Sequence, residues 1–414
     1  MTCCIKVVVG LLFATALNTA MAAGKLPYGY FSVGEPAKAP VIASSDRATT
    51  PSYVIMGGGP DVDQAFQWLI QRAGIKPGTG GRFVIIRATG TEAYNPYIYY
   101  SDANGGTSAL PPVNQDGWVG GAYLGLSSVE TLVIPSIKAA NDSKVNEIVA
   151  RADVVFIAGG DQSDYIKYWK NTQLDWTLRD LSIKKVPIGG TSAGLAVLGQ
   201  FDFAALQGSV TSTQALSNPF NKYMSLDPTP QTLNSTTPTS TAGGFITPSP
   251  LFNTILDAHL DERDRMGRLV TFVSRLIGSY NGAGCSGGIL VPKESLNNLS
   301  PTPHGDIIAR GIGVGVEAAL LVSGDGSART PIEATLVTNP TTTTSSAAYF
   351  LLPQNYPAQC VDGKPLSGVT TKVVKVDKLI PTFNMSTWSG GHAPYTLSVI
   401  NGVMTVSDNR NSPY

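Results

Sequence analysis

The sequence predicts an α/β fold, a three-layer core around a mostly parallel sheet, with a small β-rich extension at its end. Three observations predict it. From Tyr53 to about Ser323, short apolar runs alternate with amphipathic stretches, the rhythm of strand–helix units that pair their strands in parallel. Glycine-rich turns (Gly57-Gly58-Gly59, Gly159-Gly160 and Gly189-Gly190) close several of those runs, at the strand ends where open α/β sheets place ligands. Finally, Val186-Pro187-Ile188 runs into Gly189-Gly190-Thr191-Ser192-Ala193-Gly194. A serine with glycine at −2 and +2, between a strand and a helix, is the pattern of a nucleophile elbow.

Taken in order, Lys6 precedes the apolar run Val7–Leu17, and Ala20-Met21-Ala22 has the spacing of a cleavage site. Residues 1–23 therefore read as a signal peptide cut after Ala22 or Ala23. No later apolar run reaches the length of a membrane span. The mature chain is expected to be exported, to the medium or the periplasm. The α/β domain is expected over 24–329, with strands at Tyr53–Met56, Phe83–Ile86, Thr131–Ile134, Val154–Ile157, the elbow strand, Gly288–Val291 and Ala318–Val322. Helices are expected at Val62–Ala73, Ser143–Ala152, from Tyr165 onward and at Arg263–Ile277. Residues 227–250 are rich in Pro, Thr and Ser and read as an insertion. Residues 330–414 turn to short alternating runs such as Thr371–Val376, the expected β-rich extension.

The formal net charge is zero, which argues against nucleic acid or an anionic membrane as partner. Cys3 and Cys4 leave with the signal, and Cys285 and Cys360 remain. An even pair in an oxidising compartment is expected to form a disulfide, two buried thiols being the alternative.

The elbow glycines have a steric purpose, because side chains there would strike neighbouring backbone. The turn lifts Ser192 Oγ from the sheet, and the following helix offers N–H groups to an oxyanion. A plain glycine turn would show the same five residues, so the serine needs a base. The chain has three histidines. His304 and His392 sit in a loop and in the extension. His259 ends an apolar run and is followed by Arg263, Arg265 and Arg268. If helical, Arg265 and Arg268 share a face, and forked guanidiniums suit a substrate carboxylate. The blander alternative is a solvated face paired locally with Asp261, Glu262 and Asp264. In the loop Ala158–Gln162, the N–H of Gly160 could complete an oxyanion hole with that of Ala193, and Gln162 could orient a substrate carbonyl or amine. Asp202, Asp227 and Asp257 are the candidates for an acid behind His259, and the residues alone leave that choice open. With no H-E-x-x-H, no paired Cys/His spacing and no Lys-Ser/Thr after Gly57-Gly58-Gly59, neither a metal nor a cofactor is expected.

Gly159-Gly160-Asp161-Gln162, Gly190-Thr191-Ser192-Ala193-Gly194 and Asp257-x-His259-x-x-x-Arg263-x-Arg265-x-x-Arg268-Leu269 together resemble the cyanophycinases, in particular the secreted bacterial ones. These group with dipeptidase E among the serine peptidases. Met56-Gly57-Gly58-Gly59 and Arg87-Ala88-Thr89-Gly90-Thr91 with Tyr94-Asn95 fit the same pattern, and the resemblance covers roughly residues 50–325. It implies a fold like the class I glutamine amidotransferases and a homodimer. It also implies Ser192 as nucleophile, His259 as base, and Gln162, Asp257, Arg263, Arg265 and Arg268 around the substrate. The implied substrate is cyanophycin, a poly-aspartate carrying arginine on each side-chain carboxyl, cut from a chain end into β-aspartyl-arginine. Two departures bear on specificity. Ala258 stands where the family often has Gln, and Gly315-Val316 stand where Asp-Glu often follow, so that either Glu317 takes over the acidic role or the role is absent. Two other readings are an exported dipeptidase for aspartyl or isoaspartyl peptides, and a non-catalytic protein that holds polyanions or a granule surface.

Overall fold

The computed structural model describes residues 26–100, 118–228, 244–293, 307–342, 345–407 and 412–414. The expected signal peptide, His304 and most of the 227–250 segment lie outside these residues.

The first strands are β1 (Gly29–Gly34), β2 (Ser52–Met56), β3 (Arg82–Arg87), β4 (Ser128–Val133), β5 (Val154–Ile157) and β6 (Ile188–Thr191). Between them run α1 (Asp63–Arg72), α2 (Tyr94–Tyr100), α3 (Gly121–Leu124), α4 (Ile137–Ala140), α5 (Ser143–Ala150), α6 (Gln162–Tyr168) and α7 (Gln173–Ile183). Then come α8 (Ala193–Ala196), β7 (Asp202–Phe203), α9 (Ser212–Ser217), β8 (Leu226–Asp227), β9 (Thr254–Asp257), α10 (Met266–Leu276), β10 (Arg310–Val314) and β11 (Ala319–Ser323). The chain continues through β12 (Glu333–Val337), β13 (Ala347–Pro353), β14 (Val369–Asp377), β15 (Thr382–Asn384), β16 (Ser389–Gly390), β17 (Tyr395–Ile400) and β18 (Val403–Val406).

A ten-stranded sheet runs β1-β4-β3-β5-β6-β2-β11-β12-β15-β16. Its centre, β4 to β2, is parallel, and both flanks are antiparallel. Parallel strands are apolar throughout because both of their faces are covered. Phe83, Ile85, Val154 and Phe156 pack on Phe66, Leu69 and Ile70 of α1. Val84, Ile86, Val155 and Ile157 face the other way, towards Tyr165, Leu174 and Leu178 of α6 and α7. The same core takes in one face of a six-stranded sheet, β18-β17-β14-β13-β10-β9, in which only β9 and β10 are parallel. Phe350 stacks on Phe383 across that junction, with ring centroids 3.8 Å apart.

The strands beyond residue 330 are divided between both sheets: β12, β15 and β16 extend the first, and β13, β14, β17 and β18 build the second. Cys285 and Cys360 form a disulfide, Cα to Cα 4.9 Å. Two expectations fail locally. Gly288–Val291 is no strand but a loop with isolated bridges. The N–H groups of Ile289 and Leu290 both donate to Leu276 O at the end of α10, so the loop is tied to that helix rather than to a sheet. The helix expected from Arg263 begins only at Met266, because the chain first makes a tight turn after β9. Among the described residues, no helix is long and apolar enough to cross a membrane.

Candidate active site

Strand β6 ends at Thr191, and the chain then turns so sharply that Ser192 takes φ 52° and ψ −113°. A non-glycine residue there is strained, at about 1–3 kcal/mol. Glycine makes the turn possible on either side. A Cβ on Gly190 would lie 2.3 Å from Gly194 O, and one on Gly194 would lie 2.0 Å from Ile157 O. The N–H of Ser192 donates to Met56 O, 3.0 Å away at the end of β2.

The histidine expected as base arrives from the second sheet. Just beyond β9, His259 takes φ 49°, and its N–H donates to Gly57 O at 2.9 Å. The ring lies against Gly58, where a Cβ would come within 2.4 Å of Nε2. The loop after β2 thus anchors serine and histidine from adjacent peptide groups. His259 Nε2 is 3.0 Å from Ser192 Oγ. Its Nδ1 is 2.8 Å from Glu262 Oε2. A carboxylate at Nδ1 fixes the proton there and leaves Nε2 to accept from the serine. Burial lowers the pKa of His259 below its ordinary value, with the charges of Arg263 and Arg265 adding to the effect and Glu262 opposing it. The lowered pKa favours the neutral imidazole, the form a general base needs. The hydrogen bond from His259 in turn lowers the pKa of Glu262.

A cavity of about 250 Å³ opens beside Ser192, lined by Gly160, Gln162, Ala193, Arg263 and Arg265 among others. Tyr165 fixes the Gly159–Gly160 turn by donating to Ala158 O at 2.8 Å. Gln162 opens α6 behind an Asp161 cap, its Nε2 3.4 Å from Phe203 O. The three arginines have different tasks. Arg268 grips Asp257 with two bonds of 2.8 and 2.6 Å and donates also to Ser209 Oγ and Val210 O. Its side chain is 3% exposed, so it is a buried, fully engaged brace. Arg265 donates to Ala258 O at 2.7 Å, and burial lowers its pKa to about 10. Arg263 is 51% exposed with its Nε 3.9 Å from Glu262 Oε2, which leaves its guanidinium accessible to an incoming anion.

The structure brings together Ser192, His259, Gly160, Ala193, Gln162, Asp257, Arg263, Arg265 and Arg268 at one cavity. It does not place an aspartate behind His259. Asp257 is taken by Arg268, and Asp227 by Lys170 at 2.6 Å. Asp202, opposite Asp227 in the β7–β8 pair, is fully buried with neither carboxyl oxygen hydrogen-bonded. The reason is local: the turn after β9 is tight enough for the residue at +3 to reach Nδ1, so Glu262 fills the position. His-x-x-Glu was the available signal, and local pairing of Glu262 with the arginines hid it. A side chain at Gly315 would meet Asp261 Oδ2 at 2.7 Å, so an acid there would crowd this turn. Glu317 meets the site through its N–H, which donates to Gly58 O at 2.9 Å. His392 lies 2.9 Å from Asp377 in the β-rich part.

Residues 122–216 match the model of peptidase family S51. The S51 match takes in Gly160, Gln162 and the whole Ser192 elbow, and it ends before His259. No curated protein matches the chain. Among solved structures, a peptidase from an acI-B1 Actinobacterium aligns at 15% identity and a TM-score of 0.37, over 70% of this chain and 89% of that one.

Proposed function

We propose that this protein is an exported serine peptidase that hydrolyses cyanophycin from a chain end to β-aspartyl-arginine. The observation that carries the proposal is the relay Ser192 Oγ to His259 Nε2, 3.0 Å, with Glu262 2.8 Å from Nδ1. His259 takes the Ser192 proton as Oγ attacks the carbonyl, and the oxyanion falls between the N–H groups of Ala193 and Gly160. His259 then protonates the leaving amine, and water releases the acyl group by the same base. An acidic substrate is supported by the exposed guanidinium of Arg263 and by Arg265, held at the cavity edge by Ala258 O. Export is supported by the signal-like start of the sequence and by the Cys285–Cys360 bond, which suits an oxidising compartment.

The test is incubation of the full chain and of Ser192→Ala with insoluble cyanophycin, following turbidity and soluble products by mass spectrometry. Clearing by the wild type alone, with β-aspartyl-arginine as product, is the expected result. Clearing by both proteins would contradict it. Cleavage of short isoaspartyl peptides without clearing would move the substrate to the dipeptidase class.

A further inference from the structure

The turn carrying His259, Glu262 and Arg263 contains a second non-glycine residue in left-handed backbone, Asp264 at φ 47°. It runs straight into α10, whose N-cap, Arg265, makes no side-chain cap bond. Helix starts leave N–H groups that need acceptors, and here the acceptors come from distant parts of the chain. Ser212 Oγ, in α9, accepts from Arg268 N at 3.2 Å. Tyr414 Oη accepts from Met266 N at 3.1 Å and donates to Asp264 Oδ1 at 2.9 Å. The Tyr414 ring stands edge-on to Tyr349 of β13, with centroids 5.9 Å apart. The same hydroxyl therefore ties down the strained residue and caps the helix, one residue away from the arginines at the cavity.

We propose that Tyr414 is a positioning residue of the substrate site: its hydroxyl holds the Asp264–Met266 turn so that Arg263 and Arg265 face an anionic substrate. This gives the β-rich part of the chain a role in binding rather than in folding alone. The inference rests on the acidic-substrate reading above. His259 is anchored separately, through Gly57 O and the Gly58 contact. Loss of the Tyr414 hydroxyl should therefore weaken substrate binding and spare the serine chemistry.

The experiment is Tyr414→Phe in the full chain, which keeps the ring on Tyr349. KM for a soluble cyanophycin fragment should rise by about three- to tenfold, the range of one lost hydrogen bond. Turnover of the neutral ester p-nitrophenyl acetate should stay within about twofold, since no arginine is needed there. Equal losses on both substrates would mean a merely structural residue, and an unchanged KM would also overturn the proposal. Calorimetry with succinate in a Ser192→Ala background separates the two readings. A wild type inert toward the fragment defeats the substrate assignment. A succinate Kd unchanged by Tyr414→Phe defeats this inference.

Discussion

The Ser192 elbow and the turn from Ala258 to Arg265 both push non-glycine residues into left-handed backbone, yet different forces hold them. Around Ser192 the restraint is steric: Gly190 lets the backbone of Gly194 approach, and Gly194 that of Ile157 on β5, where any side chain would collide. The turn at His259 holds no glycine at all. Its histidine end is fixed by the Asp257–Arg268 pair and by Glu262 on the imidazole, and its Asp264–Met266 end by hydroxyls from Ser212 and Tyr414. The first kind of restraint is indifferent to pH. The second depends on charge and on segments far away in sequence.

The largest expected effects come from breaking either half at its reacting atom. Ser192→Ala and His259→Ala should each lower kcat by about 10⁴–10⁶, because the proposed relay makes the two act as a unit. Their double variant should be little worse than either alone, and additive losses in a kinetic cycle would contradict a shared relay. Next come the restraints themselves. Gly194→Ala should destabilise the protein by about 3 kcal/mol or more through the clash with Ile157 O, read as a lowered urea midpoint. Asp257→Ala strands the buried Arg268 charge and should cost about 3–5 kcal/mol. A midpoint unmoved by Asp257→Ala would show that charge does not hold the histidine side.

Glu262→Gln sharpens the comparison further. Its side chain is 50% exposed, so its loss should lower kcat by about 10–100-fold, less than a buried triad acid would. The sign of the pH effect is fixed by the neighbours. Burial lowers the His259 pKa and Glu262 opposes that shift. The acid limb of kcat/KM should therefore have its midpoint below about 6.5, and it should move lower still in Glu262→Gln. An upward move would contradict the contact. The smallest effect belongs to Asp202→Asn. Burial and the nearby Asp227 and Asp175 raise the Asp202 pKa well above its ordinary value, against Lys170 and Arg179. A raised folded-state pKa contributes stability at low pH that is lost as pH rises through it. The variant should match the wild type within about 1 kcal/mol at acid pH and gain on it as pH rises. A difference flat across that range would mean that Asp202 does not titrate with folding.

What could be read from the sequence follows the same division. Gly190, Ser192 and Gly194 lie within five residues in a fixed spacing, so the residue order alone makes the elbow legible. The parallel centre is legible too, since Phe83–Ile86 and Val154–Ile157 carry no polar residue that would suit one solvated face. His259 and its arginines stand out as a cluster, but their division of labour does not. Helical spacing puts Arg265 and Arg268 on one face, whereas the chain turns before Met266 and makes one a cavity edge and the other a buried brace. Glu262 escapes notice because the reach of a side chain across a tight turn depends on φ values that spacing does not reveal. Tyr414 lies 150 residues from Asp264, beyond any local signal. Strands β12 to β18 read as β, but which sheet each joins depends on long-range pairing.

The proposed mechanism turns on Ser192, activated by His259, as the nucleophile. Reaction of the full chain with a fluorophosphonate, followed by peptide mapping, tests this without assuming a substrate. A single adduct on Ser192 is expected in the wild type, formed far more slowly in His259→Ala and moderately more slowly in Glu262→Gln. An adduct elsewhere, or one on Ser192 at the same rate in His259→Ala, would contradict that assignment.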